Sequence, residues 1–169
     1  MNPAALHLHE VRGTDAELDQ LASLLATMDD EAPLPLACMR ERFTEMRRLP
    51  RYRCYLMYDA PAGEADTGTR DAPAGAPLGT FSLLVFPVMV HDGRPEAIVE
   101  AVVVAPAARG RGIGKRMMQE AMRLAREAGA AKLALSSNAR RLQAHRFYRE
   151  LGFTEHGISF SIALADGLN

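Results

Sequence analysis

The first part of the chain switches between the two-residue period of a β-strand and the 3.6-residue period of an α-helix. Residues 6–11 (LHLHEV) alternate apolar and polar positions and predict a half-buried strand. Residues 13–28 then carry leucines at helical spacing, and Thr14 with Glu17 forms a capping-box sequence that predicts the helix start. Residues 36–49 (LACMRERFTEMRRL) resume the helical period. Two helices are therefore expected after the first strand.

Three further apolar segments predict strands in the middle of the chain, at residues 52–59, 78–90 and 97–104. The segment 61–77 between the first two is rich in Pro, Gly, Ala and Asp without periodicity, which predicts a flexible hairpin loop. The dipeptide Asp92-Gly93 is a hairpin turn signal between the other two. The first half of the chain is therefore expected to form an antiparallel meander.

The second half returns to helical spacing over residues 112–128, where Gly129 is suited to a helix C-terminus. A short strand is predicted at residues 131–137 and a helix at 140–151, and the segments FTEH and ISFSIAL (153–156 and 158–164) predict one interrupted closing strand or a pair. The strand-helix-strand unit should make a right-handed parallel crossover inside an otherwise antiparallel sheet.

Composition narrows the class of protein. The 169 residues are 48% apolar, which suits one domain over residues 1–169. A formal net charge of −1 gives no overall attraction to nucleic acid. Cys38 and Cys54 form no CxxC pair, which favours free thiols and a cytoplasmic location. No segment has the pattern of a signal peptide or a membrane span, so no membrane partner is expected.

The segment ARGRGIGKRM (residues 108–117) carries the strongest candidate chemistry, and two known phosphate motifs can be tested on it. A P-loop needs a glycine five positions before its Gly-Lys pair and a hydroxyl directly after it. Around Gly114-Lys115 these positions hold Arg109 and Arg116. A dinucleotide fingerprint would need its third glycine where this chain has Lys115. Both motifs are excluded.

What remains is a glycine-rich turn at the N-terminus of the long predicted helix. The turn contains three glycines, Gly110, Gly112 and Gly114. Glycine permits a positive φ and lets the backbone approach a ligand closely. Free N–H groups and the helix dipole at this position favour an anion such as a pyrophosphate. Three cations add to this attraction, namely Arg109, Arg111 and Lys115. A surface turn that serves only chain geometry is the alternative. RNA binding is less favoured, because no aromatic residue lies among the arginines.

Two segments of the chain, one after the other, resemble the GNAT superfamily of N-acetyltransferases. Residues 102–118 (VVVAPAARGRGIGKRMM) are similar to its strand, VxP and RxxGxG signature, and residues 144–153 (AHRFYRELGF) are similar to its FYxxxGF segment. The resemblance implies the GNAT fold, an α/β fold of the α+β type. It has a mixed, mostly antiparallel central sheet of six to seven strands with about four helices, splayed between strands 4 and 5.

The resemblance also implies acetyl-CoA as co-substrate and no metal. The pyrophosphate would contact the RxxGxG turn, at Arg109, Gly110, Arg111, Gly112, Ile113, Gly114 and Lys115. The pantetheine arm would bond the backbone of the fourth strand, at Val102, Val103 and Val104. Asn138 lies where the family's fifth strand ends, and it either contacts CoA or starts the next helix.

The implied reaction is direct transfer of an acyl group from a thioester to a neutral amine. Tyr148 matches the family's tyrosine near the thioester sulfur, where it acts as an acid; a plain core residue is the alternative. Glu100 is the candidate base, because a carboxylate in a strand interior beside a cleft could have its pKa raised by desolvation. Its alternative is a side chain that points to solvent. His7 and His9 share a strand face as metal ligands could, but no third ligand is evident.

The tail from residue 135 onwards is most similar to aminoalkylphosphonate N-acetyltransferases, which acetylate small primary amines. Residues 1–95 show no acceptor motif, so the acceptor amine stays open. A small-molecule amine is expected, with protein or peptide amino groups and aminoglycosides as alternatives. A non-catalytic acyl-CoA-binding or regulatory domain is the rival class. A homodimer, common on this fold, is left open.

Overall fold

The order of strands and helices follows the hydrophobic pattern. In the computed structural model they are β1 (Leu6–Glu10), α1 (Asp15–Asp29), α2 (Leu36–Arg48), β2 (Tyr52–Asp59), β3 (Gly79–Phe86), β4 (Glu96–Val104), α3 (Ile113–Glu127), β5 (Leu133–Ala134) and α4 (Leu142–Glu150). The structure describes residues 6–29, 32–60, 75–157, 159–160 and 162.

The five strands form one sheet in the order β1-β2-β3-β4-β5. The first three pairings are antiparallel, and β4 pairs with β5 in parallel. This confirms the predicted meander and the parallel crossover. The parallel pairing covers only Ala97 with Leu133 and Ile98 with Ala134. Among the described residues, β4 therefore has no partner on that side from Val99 onwards, which is the splay expected between strands 4 and 5.

The predicted number of strands, six to seven, differs from the five that the described residues form. The fifth strand, expected over residues 131–137, is limited to Leu133–Ala134. Residues 153–156 form no strand, because three of their four side chains are exposed and leave no apolar face to alternate. The closing segment 158–164 lies mostly outside the described residues, as does the predicted loop 61–77 up to residue 74.

Helices cover the sheet through buried apolar side chains. Helices α1 and α2 form one cluster with alternate residues of β2, which includes Leu18, Phe43, Cys54, Leu56 and Tyr58. Helix α3 packs against β3 and β4 through a separate apolar face formed by Ile113, Met117, Met118, Ala121 and Ala125.

Gly79 of β3 permits the close approach of α3. A Cβ atom at this glycine would lie 2.6 Å from Met117 Sδ and 2.7 Å from the carbonyl oxygen of Val103. Gly79 therefore lets α3 and the end of β4 each approach β3 more closely than a residue with a side chain would allow.

A buried carboxylate fixes the connection between β1 and α1. Glu17 is fully buried, and its Oε1 accepts a hydrogen bond from His9 Nε2 at 2.6 Å. Its Oε2 accepts from the N–H groups of Gly13 at 2.9 Å and Thr14 at 2.8 Å. The Glu17 N–H in turn donates to Thr14 Oγ1 at 3.4 Å, so the predicted capping box is confirmed. Burial would raise the pKa of Glu17, but the bonds from His9, Thr14 and Arg12 together lower it.

The chain divides into two compact units, Met1–Leu135 and Ser136–Asn169. The first unit holds the sheet with α1, α2 and α3, and the second holds α4. One domain over residues 1–169 stays a prediction. No helix in the described part of the chain is long and apolar enough to cross a membrane.

Candidate functional site

The end of β4 is distorted by a β-bulge. Ser82 lies opposite Glu100 and Thr80 lies opposite Val103, so two residues of β4 face the single residue Phe81 of β3. The first of the two, Ala101, has a φ of 50°, a left-handed conformation that costs an L-residue about 1–2 kcal/mol. Such bulges change the direction of a strand beside many active sites. Here the bulge directly follows Glu100 and includes Val102, the first residue of the segment Val102–Val104.

The glycine-rich turn follows β4 after one turn of 3-10 helix at Pro106–Ala108. Gly110 and Gly112 have φ values of 76° and 77°, as predicted for a left-handed turn. A Cβ atom at either glycine would meet no atom within 4 Å, so the space above both is open. Gly114 lies inside α3, which begins at Ile113, and it does not have the positive φ that glycine permits.

No side chain of the described residues caps the N-terminus of α3. Gly112 occupies the N-cap position and provides no side-chain acceptor. The first intrahelical bond runs from the Arg116 N–H to the Gly112 carbonyl at 3.1 Å. The amides of Ile113, Gly114 and Lys115 therefore precede the helical bonding pattern. Together with the helix dipole they form a positively polarised end that attracts an anion.

The basic side chains of the turn differ in their partners. Arg109 and Lys115 are exposed and make no ion pair with any described residue. The guanidinium of Arg111 lies 2.9 Å from Asp59 Oδ1 at the end of β2. Arg116 pairs with a glutamate one turn further along α3. Two of the three cations predicted to face an anion, Arg109 and Lys115, thus have no carboxylate partner in the described part of the chain.

Glu100 is exposed on β4, next to the bulge, so the burial on which its predicted desolvation rested is not found. Its Oε2 accepts a hydrogen bond from the Tyr52 hydroxyl at 2.8 Å. Burial, with a further contribution from Glu100, raises the pKa of Tyr52. Sequence reasoning did not find Tyr52, because the contact reaches across β3 and depends on the register of two strand pairs.

Tyr148 and Asn138 belong to the second unit. The Tyr148 ring lies in α4 against Phe147 and Phe153, with centroid distances of 5.3 and 5.9 Å. Burial raises the pKa of Tyr148, and Arg141 opposes this shift. Asn138 Oδ1 accepts a hydrogen bond from the Arg140 N–H at 2.9 Å, so this side chain takes part in the turn before α4.

Most of the predicted site residues lie in the first unit, between the end of β4 and the start of α3. They are Glu100, Val102, Val103, Val104, Arg109, Gly110, Arg111, Gly112, Ile113, Gly114 and Lys115. No group of three or more His, Cys, Asp or Glu side chains that could hold a metal occurs among the described residues. His9 is engaged with Glu17.

Comparison with known proteins places these features in a family. Residues 24–153 match the profile of the "Acetyltransferase (GNAT) family". The chain is 36% identical to a glucosamine 6-phosphate N-acetyltransferase of Trypanosoma brucei brucei over 50% of this chain and 55% of the relative. It is 39% identical to an aminoalkylphosphonate N-acetyltransferase of Salmonella typhimurium over 39% of this chain and 43% of the relative. The chain thus spans about half the length of the curated relatives it matches.

A solved acetyltransferase from Trypanosoma brucei superimposes with a TM-score of 0.73 at 25% identity, over 95% of this chain and 100% of that one. The matched profile covers the bulged strand, the glycine-rich turn and α4. With the predicted signature segments both inside this match, the chain belongs to the acetyltransferase (GNAT) family.

Proposed function

We propose that this chain is an N-acetyltransferase that transfers the acetyl group of acetyl-CoA directly to a primary amine of a small molecule. One observation carries the proposal: the uncapped N-terminus of α3, with left-handed glycines at positions 110 and 112, follows directly after the bulged strand β4. A cytoplasmic location is part of the proposal, because Cys38 and Cys54 are both free thiols.

The residues of the turn fit a pyrophosphate. The open space above Gly110 and Gly112 leaves their backbone accessible, and a Cβ atom at either position would project into that space. The amides of Ile113, Gly114 and Lys115 would bond the phosphate oxygens, and the exposed charges of Arg109 and Lys115 would add attraction. Arg111 would contribute through its backbone, since its side chain pairs with Asp59.

The pantetheine arm would lie along Val102, Val103 and Val104. The edge of β4 on the β5 side has no partner there among the described residues, so its backbone groups are available for hydrogen bonds in the manner of an added strand. The side chain of Val103 is buried in the core, which leaves its main chain as the part that binds.

The chemistry assigned to this chain is proton transfer. Bound acetyl-CoA supplies a thioester, whose carbonyl carbon forms the new C–N bond with the amine while its C–S bond breaks. Glu100 accepts the proton that the amine must lose, which its exposed position next to the bulge allows. Tyr148 donates its hydroxyl proton to the departing sulfur, and burial supports this role by keeping the phenol protonated. Both roles belong to the proposal.

The names of two relatives support a substrate class within this proposal. The substrates in two of their names, glucosamine 6-phosphate and an aminoalkylphosphonate, both combine a primary amine with a phosphorus oxyanion. We therefore place small amines that carry a phosphate or phosphonate group first among the acceptors.

A free-thiol assay of acetyl-CoA turnover tests the activity. The panel contains glucosamine 6-phosphate, 2-aminoethylphosphonate, an aminoglycoside and a peptide with a free N-terminus. We expect turnover with a small amine and a strong loss of turnover in Tyr148→Phe. Tight CoA binding without turnover on any amine would favour the non-catalytic binding domain.

Gly112→Asp tests the anion site separately. A carboxylate at the N-cap would occupy the helix amides and repel a pyrophosphate, so CoA binding measured by calorimetry should be lost. Gly93→Asp is a matched control, because Gly93 also has a positive φ of 73° and open space around it. Equal CoA affinity in the two variants would contradict the assignment of the turn.

A further inference from the structure

The two glutamates of β4 have different surroundings. Glu96, at the start of the strand, pairs with His91 at 2.9 Å and Lys132 at 3.1 Å. Glu100 makes no ion pair with any described residue, and its hydrogen-bond donor is the neutral Tyr52 hydroxyl. A cation beside a carboxylate strongly favours its charged form and lowers its affinity for a proton. The neutral phenol orients Glu100 without placing a cation beside its carboxylate.

The contact between Tyr52 and Glu100 reaches across a whole strand. Tyr52 lies opposite Leu84 of β3, whereas Glu100 lies opposite Ser82 on the other side of β3. The phenol therefore crosses β3 diagonally before its hydroxyl meets Glu100 Oε2. Such a contact needs both strand registers to be correct, so it depends on the architecture of the sheet rather than on neighbouring residues.

The hydrogen bond has a fixed direction. The carboxylate can only accept, and burial raises the pKa of Tyr52, so the phenol keeps its proton throughout the neutral range. It holds Oε2 of Glu100 and leaves Oε1 without a hydrogen bond to any described residue. One oxygen of the carboxylate is thus anchored while the other can receive a proton.

We infer that Tyr52 is a positioning residue for Glu100: its hydroxyl anchors one carboxylate oxygen next to the bulge, so that the other oxygen accepts the proton of the amine. The inference rests on the proposed function. Tyr52 does not touch the reacting atoms, and it acts through the orientation of Glu100.

Tyr52→Phe tests this role, with Tyr58→Phe as the matched control. Tyr58 lies on the same strand, and its hydroxyl donates one hydrogen bond to the neutral side chain of Gln20 at 2.7 Å. Each variant therefore loses one hydroxyl and one hydrogen bond. The assay uses the amine of the panel that is turned over fastest, with kcat and both KM values measured.

We expect Tyr52→Phe to lower kcat on the order of tenfold, as the loss of one hydrogen bond to a charged group would, with an unchanged KM for acetyl-CoA. Tyr58→Phe should keep the wild-type kcat. Glu100→Gln should lose most of the activity, and adding Tyr52→Phe to Glu100→Gln should cause no further loss. Circular dichroism and thermal melts would show that all variants are folded.

The contradicting outcomes are distinct. A wild-type kcat in Tyr52→Phe, together with an inactive Glu100→Gln, would overturn the positioning role and leave the proposed function intact. An equal loss of kcat from Tyr52→Phe in the wild type and in Glu100→Gln would also overturn the positioning role, because the phenol would then act independently of Glu100. Full activity in Glu100→Gln would overturn the base and its positioning residue, while acetyl transfer itself stayed established. Absence of turnover by the wild type on every amine would overturn both proposals.

Discussion

Gly79→Ala should destabilise the protein although alanine is ordinarily the better residue in a strand. The added Cβ would lie 2.6 Å from Met117 Sδ and 2.7 Å from the carbonyl oxygen of Val103. The thioether is the end of a flexible side chain and can move. The carbonyl belongs to the backbone of β4 and cannot move without disturbing the pairing of Gly79 with Val104.

The expected magnitude follows from these two contacts. Overpacking of a well-packed core costs typically about 1–3 kcal/mol. Replacing glycine by alanine returns about 0.4–1 kcal/mol, because the unfolded chain has less conformational freedom to lose. A net loss of about 1.5 kcal/mol in unfolding free energy remains, which for a chain of this size lowers Tm by about 3–6 °C.

Thermal and urea unfolding of the variant measure this loss. Gly93→Ala is a comparison in which strain at a positive φ is the cost and overlap is absent, whereas Gly79 has no positive φ and the cost there is overlap. The double variant Gly79→Ala/Met117→Leu separates the two contacts. We expect the double variant to recover only a minor part of the lost unfolding free energy, because the overlap with the Val103 carbonyl stays.

The same substitution should raise the KM for acetyl-CoA, because it displaces the main chain of Val103, one of the proposed pantetheine contacts. A Gly79→Ala protein with wild-type stability would refute the reasoning, since α3 and β4 could not then approach Gly79 as closely as described. Full recovery by Met117→Leu would show that only the flexible side chain had been displaced.

Three further predictions concern other parts of the first unit. Glu17→Gln should reduce unfolding free energy by about 2–3 kcal/mol through its lost charge-assisted bonds. Because the folded chain lowers the pKa of Glu17, its contribution is present at neutral pH and is lost as pH falls below the ordinary value of 4.5, so acid titration of stability should be flatter in the variant. Burial raises the pKa of the Cys54 thiol, so iodoacetamide and mass spectrometry should find Cys38 modified first in the native protein. Asp59→Asn removes the exposed ion pair with Arg111 and should change stability by less than about 1 kcal/mol in urea titrations.

Each of these has a clear contrary result. An acid titration equally steep in Glu17→Gln would show that another carboxylate controls the pH dependence. Labelling of Cys54 as fast as Cys38 would mean that the thiol is accessible in the native state. A loss well above about 1 kcal/mol in Asp59→Asn would show that the pair is more than a surface contact.

Features with local causes were predictable from the sequence. The capping box of Thr14 and Glu17 involves residues three apart, so the sequence alone places both partners. The left-handed turns at Gly110 and Gly112 follow from glycine itself. The sign of φ at Gly114 could not be predicted from the sequence, because glycine is tolerated both in a loop and in the first turn of a helix.

Features that depend on strand register were not predictable. The sequence of β4 carries no glycine or other turn signal at Ala101, yet this residue has the positive φ of the bulge. The contact of Tyr52 with Glu100 needs the registers of β2 with β3 and of β3 with β4 together. The two-residue length of β5 depends on where β4 diverges from it, which is a property of the sheet.

The buried Glu17 has a consequence for how quickly the chain folds. Its donors His9, Arg12, Gly13 and Thr14 all precede it by no more than eight residues. Closing so short a loop costs little chain entropy and takes on the order of 10–100 ns. Contacts of low sequence separation favour early formation in a transition state. The β1–α1 connection is therefore suited to be an early nucleus, against which the long-range pairing of the sheet can be completed later.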